Sequence, residues 1–231
     1  VGYDSVDVAA ATRLGISVSN LPGINANAVA EYTFALLLAQ ARRLIPVATG
    51  VAAGHWPRAD GHELRGSVLG LIGRGAVAQR VAPLAAAFGM TVVQHPPTGL
   101  GELLEAADYV SIHTALTPRT RGLIDAAALA RMKPAAHLIN TARGPIVDEA
   151  ALAGAVRAGR IAGAALDVVD VVDVEPLPAD SALRGVPGIT VYSHLAGQTA
   201  EARRAAGLEG AAELVAALAG QPRFALKAGN P

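Results

Sequence analysis

The sequence predicts an α/β protein built on a doubly wound parallel sheet. Two observations carry that prediction. From Ser67 onward, short apolar runs alternate with stretches of helical periodicity, the order of strands and crossover helices. Within that region, Leu69-Gly70-Leu71-Ile72-Gly73-Arg74-Gly75-Ala76-Val77-Ala78 reads as a buried strand, a glycine turn and a helix start. Crossovers between parallel strands are right-handed, which leaves a sheet with helices on both faces as the economical topology. The chain has 231 residues, 52% of them apolar, enough for one large domain or two modest ones.

Taken in order, Val6, Val8, Ala9, Ala10 and Leu14 sit at helical spacing, and Gly15 ends that helix. Ile16-Ser17-Val18 alternates like a strand. Leu21-Pro22-Gly23 is a turn, after which Asn25 or Asn27 is expected to cap the next helix. That helix, from about Ala26 to Leu44, is apolar almost all round, so it is expected between two bodies, domain and domain or subunit and subunit. Residues 50–65 read as a polar connection carrying Trp56, the one tryptophan. Predicted strands then fall at residues 68–72, 91–94, 109–113, 137–140, 163–167 and 189–192, with helices at 76–88, 100–107, 126–132 and 148–158. A last, alanine-rich helix spans residues 199–219 and stops at Gly220.

Composition narrows the function. The formal net charge is zero and the basic residues are scattered, so no nucleic-acid partner is expected. The absence of cysteine removes disulfides, a thiolate nucleophile and cysteine metal sites. The histidines stand far apart, with no His-x-x-x-His pair, so no metal is expected. The apolar runs are too short and broken for a membrane span, and no signal peptide is visible. A cytoplasmic protein is expected, for a chain that begins at Val1 rather than methionine.

The glycine turn carries the first chemistry. Gly73 and Gly75 allow a tight turn and a close backbone approach. A dinucleotide pyrophosphate would sit on the following helix N-terminus, held by free N–H groups and the positive end of the helix dipole. Gly73, Arg74, Gly75, Ala76 and Val77 form that candidate cradle.

Further strings stand in order along the chain. They are Val1-Gly2-Tyr3-Asp4, Asn25-Ala-Asn-Ala-Val-Ala-Glu31, Leu116-Thr-Pro-Arg-Thr-Arg-Gly122 and Met132-Lys-Pro134. After them come Asn140-Thr-Ala-Arg143-Gly144, Ile146-Val-Asp-Glu149, Leu166-Asp167 with Glu175-Pro176, and His194-Leu-Ala-Gly197-Gln-Thr199. Together with the glycine turn they resemble the D-2-hydroxyacid dehydrogenase family along nearly the whole chain. The resemblance implies hydride transfer between a nicotinamide and C2 of a small 2-oxo or 2-hydroxy acid, with NAD as cofactor and NADP not excluded. It implies a Rossmann-like dinucleotide-binding domain over residues 25–197. Residues 1–24 and 198–231 would be a remnant of a smaller substrate domain.

The residue types suit that chemistry. Arg143 matches the arginine whose guanidinium fork faces the substrate carboxylate and carbonyl. His194 matches the imidazole that exchanges a proton with the C2 oxygen. Glu175 matches the carboxylate that orients this histidine and favours its protonated form. The backbone N–H groups of Val1 and Gly2 would take the substrate carboxylate. The resemblance also assigns His95, Thr114, Thr117, Thr141, Ala142, Asp167 and Gly197 to the cofactor. It implies a homodimer, since the helix from Ala26 and the arm with Trp56 pack on a second copy in the family.

The sequence departs from the family pattern in four places. The family's leading segment, which builds most of the substrate domain, is absent from this sequence, which leaves open the reading that the chain is an incomplete fragment of an ordinary enzyme. The position after β-like Val92-Val93-Gln94-His95 that should hold the ribose-binding acid holds Pro96, which has no side-chain acceptor. No arginine takes its place there, so a 2′-phosphate clamp is not evident. Ala78 replaces the third glycine of the turn. Asp167 and Glu175 are separated by a string that looks like the family motif with three residues duplicated; if it bulges outward, Glu175 still reaches His194. These departures also leave open a second reading, a cofactor-binding or scaffold protein with little turnover.

Overall fold

The computed structural model describes residues 2–95, 99–170 and 177–226. Six strands form one sheet: β1 (Val68–Ile72), β2 (Thr91–His95), β3 (Tyr109–Ile112), β4 (His137–Asn140), β5 (Gly163–Leu166) and β6 (Ile189–Val191). Every pairing is parallel, in the order β2-β1-β3-β4-β5-β6. This is the Rossmann-like doubly wound sheet that the alternation predicts. The chain steps outward from β1 to β2, then crosses back to place β3 on the other side of β1. The crevice above the carboxyl ends of β1 and β3 is therefore the topological switch point, where such sheets bind ligands.

Alternate strand residues feed two cores. Ile72, Val110, Ile112 and Leu138 pack with Leu103 and Leu104 of α5 (Leu100–Ala106), Leu129 of α6 (Ala126–Ala130) and Leu152 of α7 (Glu149–Arg157). Leu69, Leu71, Tyr109, Ile139 and Ala165 pack on the opposite face. There they meet Phe34 and Leu37 of α2 (Ala26–Ala41) and Val81 and Ala85 of α4 (Ala76–Ala87). The register aligns Ile72 with Ile112, Ile112 with Asn140, and Asn140 with Leu166. Consequently Gly73, His113, Thr141 and Asp167, each the next residue, emerge along one edge of the sheet.

Three local expectations are corrected. The predicted helix from Ala26 to Leu44 stops at Ala41, because Arg43 takes a left-handed conformation at φ 53°. The chain then restarts as α3 (Leu44–Ala52), so the predicted polar connection begins as helix. Neither asparagine caps α2 through its side chain: Asn25 occupies the cap position without that bond, and Asn27 Nδ2 donates to Glu31 at 2.6 Å instead. The strand expected at Ile16-Ser17-Val18 reduces to one antiparallel bridge between Ser19 and Ala225.

The first and last parts of the chain meet. α1 (Val8–Arg13) is capped by Asp7, and α8 (Ala200–Leu218) by Thr199. Buried Glu213 on α8 accepts from Ser19 Oγ at 2.7 Å and from the backbone N–H groups of Arg223 and Phe224, both at 3.1 Å. Among the described residues, no single helix is long and apolar enough to cross a membrane. α2 and α3 pass that test only as a pair bent by 67°, and α2 lies in the core.

Candidate active site

The glycine turn after β1 divides its labour. Gly73 has φ 117°, and a Cβ there would lie 2.3 Å from the carbonyl oxygen of His113. Its bareness serves the packing of β1 against the end of β3. Gly75 is different: its φ of −69° suits any residue, and a Cβ there would meet nothing. It precedes α4, whose first-turn N–H groups have no partners within the helix and no side-chain cap. That open space above a helix N-terminus is a cradle in which a pyrophosphate fits.

The loop after β4 holds Arg143. Asn140 Oδ1 accepts from Ala142 N at 3.0 Å, and its Nδ2 donates to Arg143 O at 2.9 Å, so one amide clamps both sides of the loop. The buried hydroxyls of Thr141 and Thr33 meet at 3.3 Å. Gly144, which begins a 3₁₀ turn, packs directly on the backbone of Val169. The guanidinium is fixed on three sides. Its Nε donates to Asp4 at 2.9 and 3.1 Å, and Nη1 donates to Ala142 O at 2.7 Å. Nη2 occupies the place a side chain at Gly2 would need.

His194 is set by Asp167, which follows β5 and is only 1% exposed. The carboxylate accepts from Leu195 N at 2.8 Å and from Ala196 N at 2.9 Å, while the Asp167 carbonyl accepts from His194 N at 2.9 Å. These bonds hold His194 at φ 57°, a left-handed conformation uncommon outside glycine. Behind them, Tyr32 meets Tyr192 edge to face at 5.9 Å. Burial, helped by the Asp167 charge and by Tyr192, pushes the Tyr32 hydroxyl up to about 12. His113 Nε2 lies 2.9 Å from Ser111 Oγ, and burial pushes that imidazole down to about 3, so it is neutral at physiological pH.

A cavity of about 940 Å³ joins these parts. Its walls include Arg143, His194 and Gly2 at one site, and Gly75, Ala76 and Val77 at another. Thr114, Thr117, Thr141, Ala142, Asp167 and Gly197 also line it, although the Asp167 carboxylate is committed to the His194 loop. Gly73, Arg74 and His95 do not line it; His95 contributes its carbonyl, which accepts from Gly73 N at 2.8 Å. Val1 and Glu175 lie outside the described residues, as does Pro96. Sequence reasoning missed Asp4 as the partner of Arg143 and Asn140 as its clamp. Both stand inside quoted strings, but the first pairing spans 139 positions and leaves no local signal. Among the described residues, no three His, Asp or Glu side chains are grouped to hold a metal.

Comparison with known proteins accounts for this arrangement. Residues 34–196 match the family model for the D-isomer specific 2-hydroxyacid dehydrogenase, NAD binding domain. The chain belongs to the D-2-hydroxyacid dehydrogenase family. It is 41% identical to a glyoxylate reductase of Aeropyrum pernix, over 94% of this chain and 70% of that enzyme. It is 42% identical to a D-3-phosphoglycerate dehydrogenase of Mycobacterium tuberculosis, over 96% of this chain but only 44% of that enzyme. An NADPH-dependent glyoxylate/hydroxypyruvate reductase of Sinorhizobium meliloti, solved with NADP and malonate, superposes with a TM-score of 0.87 at 31% identity. That match covers 98% of this chain and 75% of the other. D-2-hydroxyacid dehydrogenases are nicotinamide-dependent oxidoreductases that act on small hydroxy or oxo acids.

Proposed function

We propose that this chain reduces a small 2-oxo acid, or oxidises the matching D-2-hydroxy acid, in the cavity between Arg143 and α4. The observation that carries the proposal is that Arg143 and His194, 51 positions apart in sequence, line the same cavity as the bare N-terminus of α4. A bound nicotinamide supplies or accepts the hydride. The first turn of α4 holds the pyrophosphate. Arg143 presents its fork to the substrate carboxylate and carbonyl, and Gly2 packs against that guanidinium. As hydride reaches C2 the carbonyl π-bond breaks, and the imidazolium of His194 gives its proton to the C2 oxygen. In the reverse direction neutral His194 takes that proton. Glu175 is the candidate to orient the ring. Glyoxylate and hydroxypyruvate are the first acids to try, given the relatives' names.

We also read residues 25–197 as the dinucleotide-binding domain, with residues 1–24 and 198–231 belonging to a substrate domain. The homodimer belongs to the same proposal. It is supported by Leu44, Ile45, Val51 and Trp56, large apolar residues exposed along α3 and the arm after it. The central test is His194→Ala. Oxidation of the reduced cofactor with glyoxylate or hydroxypyruvate should fall by about 10²–10⁴-fold, and an unchanged rate refutes the role.

A further inference from the structure

The loop that follows β3 carries a cation that no described residue balances. This loop leaves the sheet directly beside the glycine turn, since Gly73 packs on the backbone of His113 and Thr114. It is built to be rigid. Thr117 N donates to Thr120 Oγ1 at 2.8 Å, Thr120 N donates to Thr117 Oγ1 at 3.2 Å, and Thr120 Oγ1 donates to Ala115 O at 2.7 Å. Pro118 and Arg119 form the centre of this reciprocally capped turn, and Arg119 lines the cavity.

The remaining charges of the cavity wall are already matched. Arg143 faces Asp4, and Asp167 faces two backbone N–H groups. Among the described residues, Arg119 has no carboxylate partner and no side-chain hydrogen bond. The first acid after β2, Glu102, turns its carboxylate back onto Gly99 at the start of α5. Residues 94–101 read Gln-His-Pro-Pro-Thr-Gly-Leu-Gly, without one aspartate or glutamate. A dinucleotide with a free ribose 2′-hydroxyl is normally received there by a carboxylate acceptor. A 2′-phosphate has the opposite need. It carries about −1.5 to −2 charges and acceptor oxygens only, and it asks for a cationic donor.

We propose that Arg119 binds the adenosine 2′-phosphate, so that this chain takes NADP(H) in preference to NAD(H). The guanidinium fork suits two phosphate oxygens at once. The arginine comes from the lip after β3, whereas the sequence pattern directs attention to the exit of β2. The pyrophosphate, common to both cofactors, stays on the first turn of α4. This inference rests on the dinucleotide-binding reading above and adds the choice of cofactor to it.

The test is equilibrium binding, read by cofactor fluorescence for NADPH and NADH and by calorimetry for 2′,5′-ADP and 5′-AMP, with no acid present. The wild type should bind NADPH at least about tenfold more tightly than NADH, and 2′,5′-ADP more tightly than 5′-AMP. Arg119→Ala should remove most of both preferences and leave NADH affinity within about twofold, while Arg119→Lys should retain part of them. Three results overturn the inference: a wild type that favours NADH or shows no preference, an Arg119→Ala variant that keeps the preference, or one that weakens both cofactors equally, which marks a pyrophosphate contact. In all three, dinucleotide binding itself survives and the proposed function stands. If none of the four ligands binds the folded protein, both readings fall together.

Discussion

At Asp167 one carboxylate takes two N–H groups of the loop that carries His194, and the residue's own carbonyl takes the N–H of His194 itself. A left-handed non-glycine residue costs roughly 1–3 kcal/mol and persists only when its surroundings over-determine it. Asp167→Asn keeps the shape but turns an amide NH2 toward a backbone N–H. The expected result is a kcat lower by about a hundredfold, with a much smaller change in dinucleotide affinity. A stability loss of about 1–3 kcal/mol should accompany it. Steady-state kinetics, cofactor titration and a urea melt on the same preparation check all three. The two glycines of the turn separate in the same way. Gly73→Ala must force the His113 carbonyl aside and relinquish a favourable positive φ, so it should lower the melting temperature by several degrees. Gly75→Val keeps an ordinary backbone and puts its methyl groups into the cavity. It should melt like the wild type and bind dinucleotide at least about tenfold more weakly, measured by fluorescence titration.

At the scale of elements, the sheet was legible because its signal is local. Each strand is a short apolar run, each crossover has helical periodicity, and Gly73, Gly89 and Gly159 punctuate the changes with positive φ. What escaped depends on distance or on one backbone angle. Nothing in the composition of Ala26 to Leu44 announces the left-handed turn at Arg43, since arginine carries no signal for it. Ile16 to Val18 alternates correctly but finds no partner strand, so the pattern had nothing to pair with beyond Ser19 and Ala225. The site was legible as a set of short strings, and Arg143 and His194 do reach one cavity. Asp4, the anchor of Arg143, was invisible because its partner is far away in sequence. The break at Arg43 also yields a prediction. It turns α3 away from the core, so that none of its residues is buried and Ile45 and Val51 face outward. Ile45→Glu should convert a homodimer to monomer by light scattering at micromolar concentration. A wild type that is already monomeric removes the dimer reading.

For the whole molecule, pH dependence follows from two histidines in the sheet region. Burial pushes His113 down to about 3, and burial together with the His62 charge pushes His137 down to about 4. In the unfolded chain both take up a proton near pH 6.5; in the folded chain they resist until far lower. Between those limits the unfolded state binds more protons. Their contribution is therefore complete above about pH 6.5 and is lost progressively as pH falls toward 4. Urea midpoints should decline across that window, and His137→Phe should flatten part of the decline. The closure around Glu213 has a consequence in time as well as in space. The sheet assembles from neighbouring strand–helix–strand units, whereas Ser19 and Glu213 must find each other across 194 positions. Contacts between such remote segments form slowly, because the intervening chain must be ordered first. The wall that carries Gly2 and Asp4 should therefore be the last part of the cavity to be built. During refolding, cofactor binding should return before turnover does.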